Sequence, residues 1–72
     1  MFMNTSEVNL LKLRYPEGTR IRLIYMEDAR AVQPGSEGTV RLVDDAGTIH
    51  INWDSGSSLG IIPGVDSFEI IQ

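Results

Sequence analysis

The chain contains no cysteine, one histidine and one tryptophan. Without cysteine there is no disulfide, no thiolate metal site, no cysteine nucleophile and no redox pair. A single histidine excludes a multi-histidine metal centre. No apolar run approaches the length of a membrane span. The opening Met1-Phe2-Met3-Asn4 carries no lysine or arginine, so no secretion signal is expected and a cytoplasmic domain is. Cations are the scarcer charge: six Lys and Arg face ten Asp and Glu, a net charge of −4. Strong nucleic-acid binders are usually basic, so this balance disfavours DNA or RNA as the partner. The charge is also uneven. Residues 1–43 hold all six cations and five anions, whereas residues 44–72 hold five anions and no cation.

What is present suffices for one small domain over 1–72. A hydrophobic content of 42% excludes wholesale disorder. Residues 5–14 read as a short helix. Asn4 is placed to cap it and Glu7 to complete a capping box. Val8, Leu11 and Leu10 are the candidates for its apolar face. Lys12 and Arg14 suit the negative end of the dipole, and Tyr15-Pro16 stops the helix. Ten residues do not hold a helix alone, so it either caps its own domain or seals a symmetric dimer.

From Thr19 the hydrophobic period changes to two. Ile21, Leu23 and Tyr25 alternate with Arg20, Arg22 and Ile24 in a first strand. A loop over 27–35 follows, then a strand from Thr39 to Val43. Asp44-Asp45-Ala46-Gly47 reads as a turn in which Gly47 supplies positive φ. Thr48 to Trp53 is the clearest strand, and Asp54-Ser55-Gly56-Ser57 the next turn. Ser58 to Ile62 reads as a fourth strand, Pro63 to Asp66 as a turn of 3₁₀-helix, and Phe68 to Ile71 as a fifth strand. The expected fold is mainly β: a five-stranded SH3-like small barrel over 18–71 with a short N-terminal helix.

Gly38-Thr39-Val40, Ile49 to Gly56, Val65-Asp66 and Phe68-Glu69-Ile70 resemble the strand–turn signatures of SH3-like and Tudor-like barrels, nearest those of the mind-bomb type. Such barrels bind many unrelated things, so the likeness bears on fold more than role. A resemblance over nearly the whole chain is to an uncharacterised bacterial domain family met in Firmicutes, actinobacteria and mobile elements. It rests on Tyr15-Pro16 with Gly18-Thr19, Met26 before an acidic pair, Pro34-Gly35, Val43 to Gly47, Asn52-Trp53-Asp54 with Gly56-Ser57, and Ile62 to Asp66. In that family a proline follows the loop aspartate; here Asp28 is followed by Ala29. The resemblance implies an accessory protein of bacteria or their mobile elements.

The chemistry-bearing residues are few. His50 is the one conventional general base, and no serine is fixed beside it, so it reads as an exposed strand residue. Asp44, Asp45 and Asp54 lack calcium-loop spacing and read as turn formers. Gly35-Ser36-Glu37-Gly38 opens a strand rather than linking helices, so it does not clamp nucleic acid. No phosphate-binding or dinucleotide fingerprint occurs. No enzyme, metal or cofactor is expected. Tyr25, Asp28, Pro34, Trp53 and Pro63 are the candidate binding residues, as an aromatic–proline groove beside the long loop. Arg20, Arg22 and Arg41 are candidates for phosphate or partner contacts; the plainer reading pairs them across strands, as with Glu69. The expected function is a protein-interaction module with an unknown protein partner. The alternative is a nucleic-acid-binding regulator using the Arg20, Arg22 and Arg41 face.

Overall fold

Asn4 starts the first element. In the computed structural model, which describes residues 4–27 and 32–72, its side chain accepts a hydrogen bond from the Glu7 N–H at 2.9 Å. Glu7 Oε1 accepts in return from the Asn4 N–H at 3.3 Å, completing the capping box. The helix α1 runs Thr5–Arg14. The Tyr15 N–H donates to the Leu11 carbonyl at 2.8 Å, and Pro16 ends the run. Val8 is the one buried residue of α1, with Leu11 half-buried beside it. Leu10, expected on that face, is exposed.

Four strands follow: β1 Arg20–Tyr25, β2 Glu37–Val43, β3 Ile49–Trp53 and β4 Ser67–Ile70. They form one antiparallel sheet in the order β3-β2-β1-β4. Period-two alternation sends Ile21 and Leu23 of β1 inward, with Val40 of β2 and Ile49, Ile51 and Trp53 of β3. With Val8, Met26, Val43 and Ile61 they make the core. Each such aliphatic side chain stabilises the fold by about 1.5–3 kcal/mol on burial. Tyr15 and Phe68 pack at the margin, ring centroids 5.2 Å apart. Gly38 is where two strands come too close for a side chain. A Cβ there would lie 2.6 Å from Ile51 Cγ2 and 3.0 Å from the Asn52 carbonyl oxygen.

The five-stranded barrel is not what forms. The sheet is open and has four strands. The expected strand over Ser58 to Ile62 reduces to a single antiparallel bridge, Ile49 with Ile61. The reason lies in Trp53. Its indole Nε1 donates to the Leu59 carbonyl at 2.7 Å, and its backbone N–H donates to the Ser57 carbonyl at 3.1 Å. The Ser57 bond and the Ile49–Ile61 bridge keep an antiparallel register, but between them the Leu59 carbonyl, which that register would set against Ile51, is held by the indole instead. Serine and glycine in this stretch are also poor strand formers. The expected 3₁₀ turn at Pro63 is a β-turn. The Val65 N–H donates to the Ile62 carbonyl at 3.1 Å, and Gly64 has φ +87°. Proline then glycine with positive φ is the type II arrangement.

Both inner strands carry one extra residue. The β1–β4 register shifts between Leu23 and Tyr25, and the β2–β3 register between Val40 and Leu42. Ile24 and Arg41 are the inserted residues. Each bulge interrupts the alternation, so that two consecutive side chains face solvent, Ile24 with Tyr25 and Arg41 with Leu42.

Candidate functional site

The sheet register decides what the arginines can do. Arg20 lies opposite Thr39, and Arg22 lies between Glu37 and Glu69. Arg20 grips Asp54 with two nitrogens, Nη1 to Oδ1 at 2.8 Å and Nη2 to Oδ2 at 2.7 Å. Its Nη1 also donates to the Thr39 hydroxyl at 2.9 Å, and Nη2 to Glu37 at 3.4 Å. Arg22 reaches Glu37 at 3.4 Å and Glu69 at 3.5 Å. The hydrogen bond from Arg20 holds the Asp54 carboxyl below its ordinary value, and Asp54 raises the Arg20 guanidinium in turn. Two cations among three carboxylates leave this cluster net negative. Both guanidiniums are engaged within it.

Arg41 stands apart from that cluster. It borders a shallow depression of about 280 Å³ with Lys12, Tyr15, Pro16, Glu17, Leu42 and Val43. Among the described residues no carboxylate forms an ion pair with it. Lys12 reaches Asp45 at 3.1 Å from the helix. The three arginines therefore do not act as one set.

The other candidates also separate. Trp53 is buried, with its N–H satisfied by Leu59, so it supports the fold from within and forms no groove wall. Tyr25 is 54% exposed at the end of β1. Pro34 is exposed and Pro63 half-buried. Asp28 lies outside the described residues. Backbone ties bring Tyr25, Pro34 and the 62–66 turn to one end of the sheet. On one side of β1, the Gly35 N–H donates to the Leu23 carbonyl at 2.7 Å, and the Leu23 N–H to Ser36 at 2.8 Å. On the other, Tyr25 pairs with Ser67.

A buried carboxylate fixes this end. Asp66 Oδ1 accepts from the Glu27 N–H at 3.2 Å, and Oδ2 from the Ile62 N–H at 2.9 Å. Asp66 thus ties the exit of β1 to the type II turn. Sequence reasoning missed it as a site-builder, and missed Ile24, Ile62 and Val65, which are exposed at the same end. A signal existed for Ile24, which shares the polar side of the β1 alternation with Arg20 and Arg22. Asp66 gave none, because an aspartate after Pro-Gly-Val reads as an ordinary turn residue.

His50 faces away from the core, as expected, but it is only part-exposed and bonded. Its Nε2 lies 2.8 Å from Asp44 Oδ2. Asp44 Oδ1 accepts from the backbone N–H groups of Ala46 and Thr48, both at 3.0 Å. Asp44 therefore organises the β2–β3 turn, where Gly47 adopts φ +90°. Its carboxyl is held below its ordinary value, first by His50 and then by those N–H groups. The pair is turn architecture, with Asp44 oriented by the backbone. Among the described residues no three His, Asp or Glu side chains converge as a metal site. No helix there is long and apolar enough to cross a membrane.

The fold defines a small, mainly β domain: one capped helix and a four-stranded antiparallel sheet. The chain belongs to the family Domain of unknown function (DUF4314), whose model matches residues 4–71. No curated protein and no solved structure is significantly similar to it.

Proposed function

We propose that this domain is a non-enzymatic protein-interaction module acting in the cytoplasm, an accessory protein of bacteria or their mobile elements, and that it meets its partner at the Tyr25 end of the sheet. The observation that carries the reading is the exposed group Ile24, Tyr25, Ile62 and Val65, gathered on backbone that Asp66 and the β1 bulge hold in place. Apolar side chains displayed on a fixed frame lose little entropy on binding. Aromatic residues in such places tend to dominate binding energy. The competing nucleic-acid reading is weakened because Arg20 and Arg22 are engaged by Glu37, Asp54 and Glu69.

The test is an affinity capture from host lysate, with and without nuclease, using the natural chain and Tyr25→Ala. Tyr25 is exposed, so the variant should keep its fold by circular dichroism. The expected result is a protein that survives nuclease and is lost with Tyr25→Ala. Capture that vanishes with nuclease, or that ignores Tyr25→Ala, overturns the proposal.

A further inference from the structure

The helix displays a second apolar feature, far from needed by its own core. Leu10 is 62% exposed and Leu13 79%. A helix turns about 100° per residue, so Leu10 sits about 200° round from Val8, and Leu13 the same from Leu11. Val8 and Leu11 are the residues α1 gives to the core. Leu10 and Leu13 therefore point the other way, with Ser6 one turn before Leu10 on the same line. The spacing 6, 10, 13 is a coiled-coil seam, four residues then three.

We infer that this outer stripe of α1 is a self-association surface, and that its occupant is the antiparallel α1 of a second copy of this chain. The argument for a second copy is charge. In an antiparallel pair about a two-fold axis, Leu10 of one copy packs on Leu13 of the other. The positions flanking that layer on one side are 7 and 14 of opposite copies. Here they are Glu7 and Arg14, so the symmetric pair contains two Glu7–Arg14 contacts and no like-charge contact there. Glu7 uses only Oε1 in the cap, leaving Oε2 to reach a partner. Ser6, small and at the stripe's end, admits close approach. The helix itself adds no net negative charge to a contact between two acidic chains, since α1 holds one anion and two cations, Lys12 being paired with Asp45.

A ten-residue helix spans about 15 Å, so the interface falls short of the roughly 1,200 Å² typical of stable complexes. The dimer is therefore of the weak, concentration-dependent class. Sedimentation equilibrium on the full chain, taken up to about 1 mM, reads it directly. Wild type is expected to associate and Leu13→Glu to stay monomeric with unchanged circular dichroism. Arg14→Glu alone places Glu7 against a glutamate, and Glu7→Lys alone places a lysine against Arg14; each should weaken association about tenfold. Mixed together the two variants present opposite charges at both contacts, and association should return. A chain monomeric throughout, an associating Leu13→Glu, or charge variants that associate as well alone as when mixed overturns the inference. Because Tyr25→Ala leaves α1 intact, failure here is separable from failure at the other surface.

Discussion

Two turns flank the stretch between β3 and β4, each with a glycine of positive φ and with an aspartate in it or directly after it. In the turn at 53–56, Asp54 faces solvent and takes a two-pronged grip from Arg20, with Gly56 at φ +98°. In the turn at 62–65, Gly64 has φ +87° and the following Asp66 is buried, accepting two backbone N–H groups. Similar residues have gone to different work. Asp54 decorates a surface, whereas Asp66 closes the architecture on which Tyr25 and its apolar neighbours stand. The difference is set by burial. The part-buried N–H groups of Glu27 and Ile62 lose their acceptor if the Asp66 carboxylate goes, while the guanidinium of Arg20 still has Thr39, Glu37 and solvent.

The comparison is tested hardest by Asp66→Ala. It leaves the N–H groups of Glu27 and Ile62 without their acceptor, an expected loss of about 2–4 kcal/mol. A domain of this size holds roughly 4–10 kcal/mol in all, so urea unfolding should show a large drop in midpoint. Asp66→Asn, which keeps one acceptor oxygen, should fall between. A loss no larger than that of Asp54→Ala would erase the distinction between the two turns.

Next in size is Gly38→Ala, which probes the sheet that both turns hang from. The added methyl meets Ile51 Cγ2 at 2.6 Å and backbone atoms of Asn52 and Trp53 at 3.0 and 3.1 Å. Overpacking of this kind costs about 1–3 kcal/mol. Thermal unfolding measures it, and an unchanged midpoint would mean that β2 and β3 can part at no cost.

These outcomes bear on what the sequence discloses. The helix is legible to the residue, because Asn4, Glu7 and Pro16 act on their immediate neighbours. The turn at Gly47 and the inward set of β3 are legible for the same reason. The expected fourth strand over Ser58 to Ile62 shows the limit. Leu59 and Ile61 alternate as a strand should, but a hydrogen bond from Trp53 claims the Leu59 carbonyl. Bulges are less visible still. One extra residue at Ile24 or Arg41 leaves no mark on local pattern, yet it sets which side chains meet solvent. The arginines lie between these cases. Pairing of Arg22 with Glu69 is readable as a cross-strand possibility, whereas the grip of Arg20 on Asp54, 34 residues away, depends on the whole sheet.

The smallest effect sharpens the comparison through pH and salt. Asp54 is held below its ordinary carboxylate value by Arg20, and Asp44 chiefly by His50. The folded chain therefore binds protons at these sites less readily than the unfolded chain. Their contribution is fully present above the ordinary carboxylate pKa of about 3.9 and is lost as pH falls through the lower folded values. Raised Arg20 has the opposite sign: its contribution is lost only as pH rises at extreme alkaline pH, beyond the range of the experiment. Asp54→Asn and Asp44→Asn should each make stability fall less steeply between about pH 4 and pH 2 than in the natural chain. Salt separates the two aspartates of the comparison. The Arg20–Asp54 grip is exposed and screened, so the penalty for Asp54→Asn should shrink as salt rises. The penalty for Asp66→Ala comes from unpaired backbone groups and should persist in the same buffers. Equal salt dependence in the two variants would place both aspartates at the surface electrostatically, and the 62–66 turn would lose its claim to anchor the apolar end.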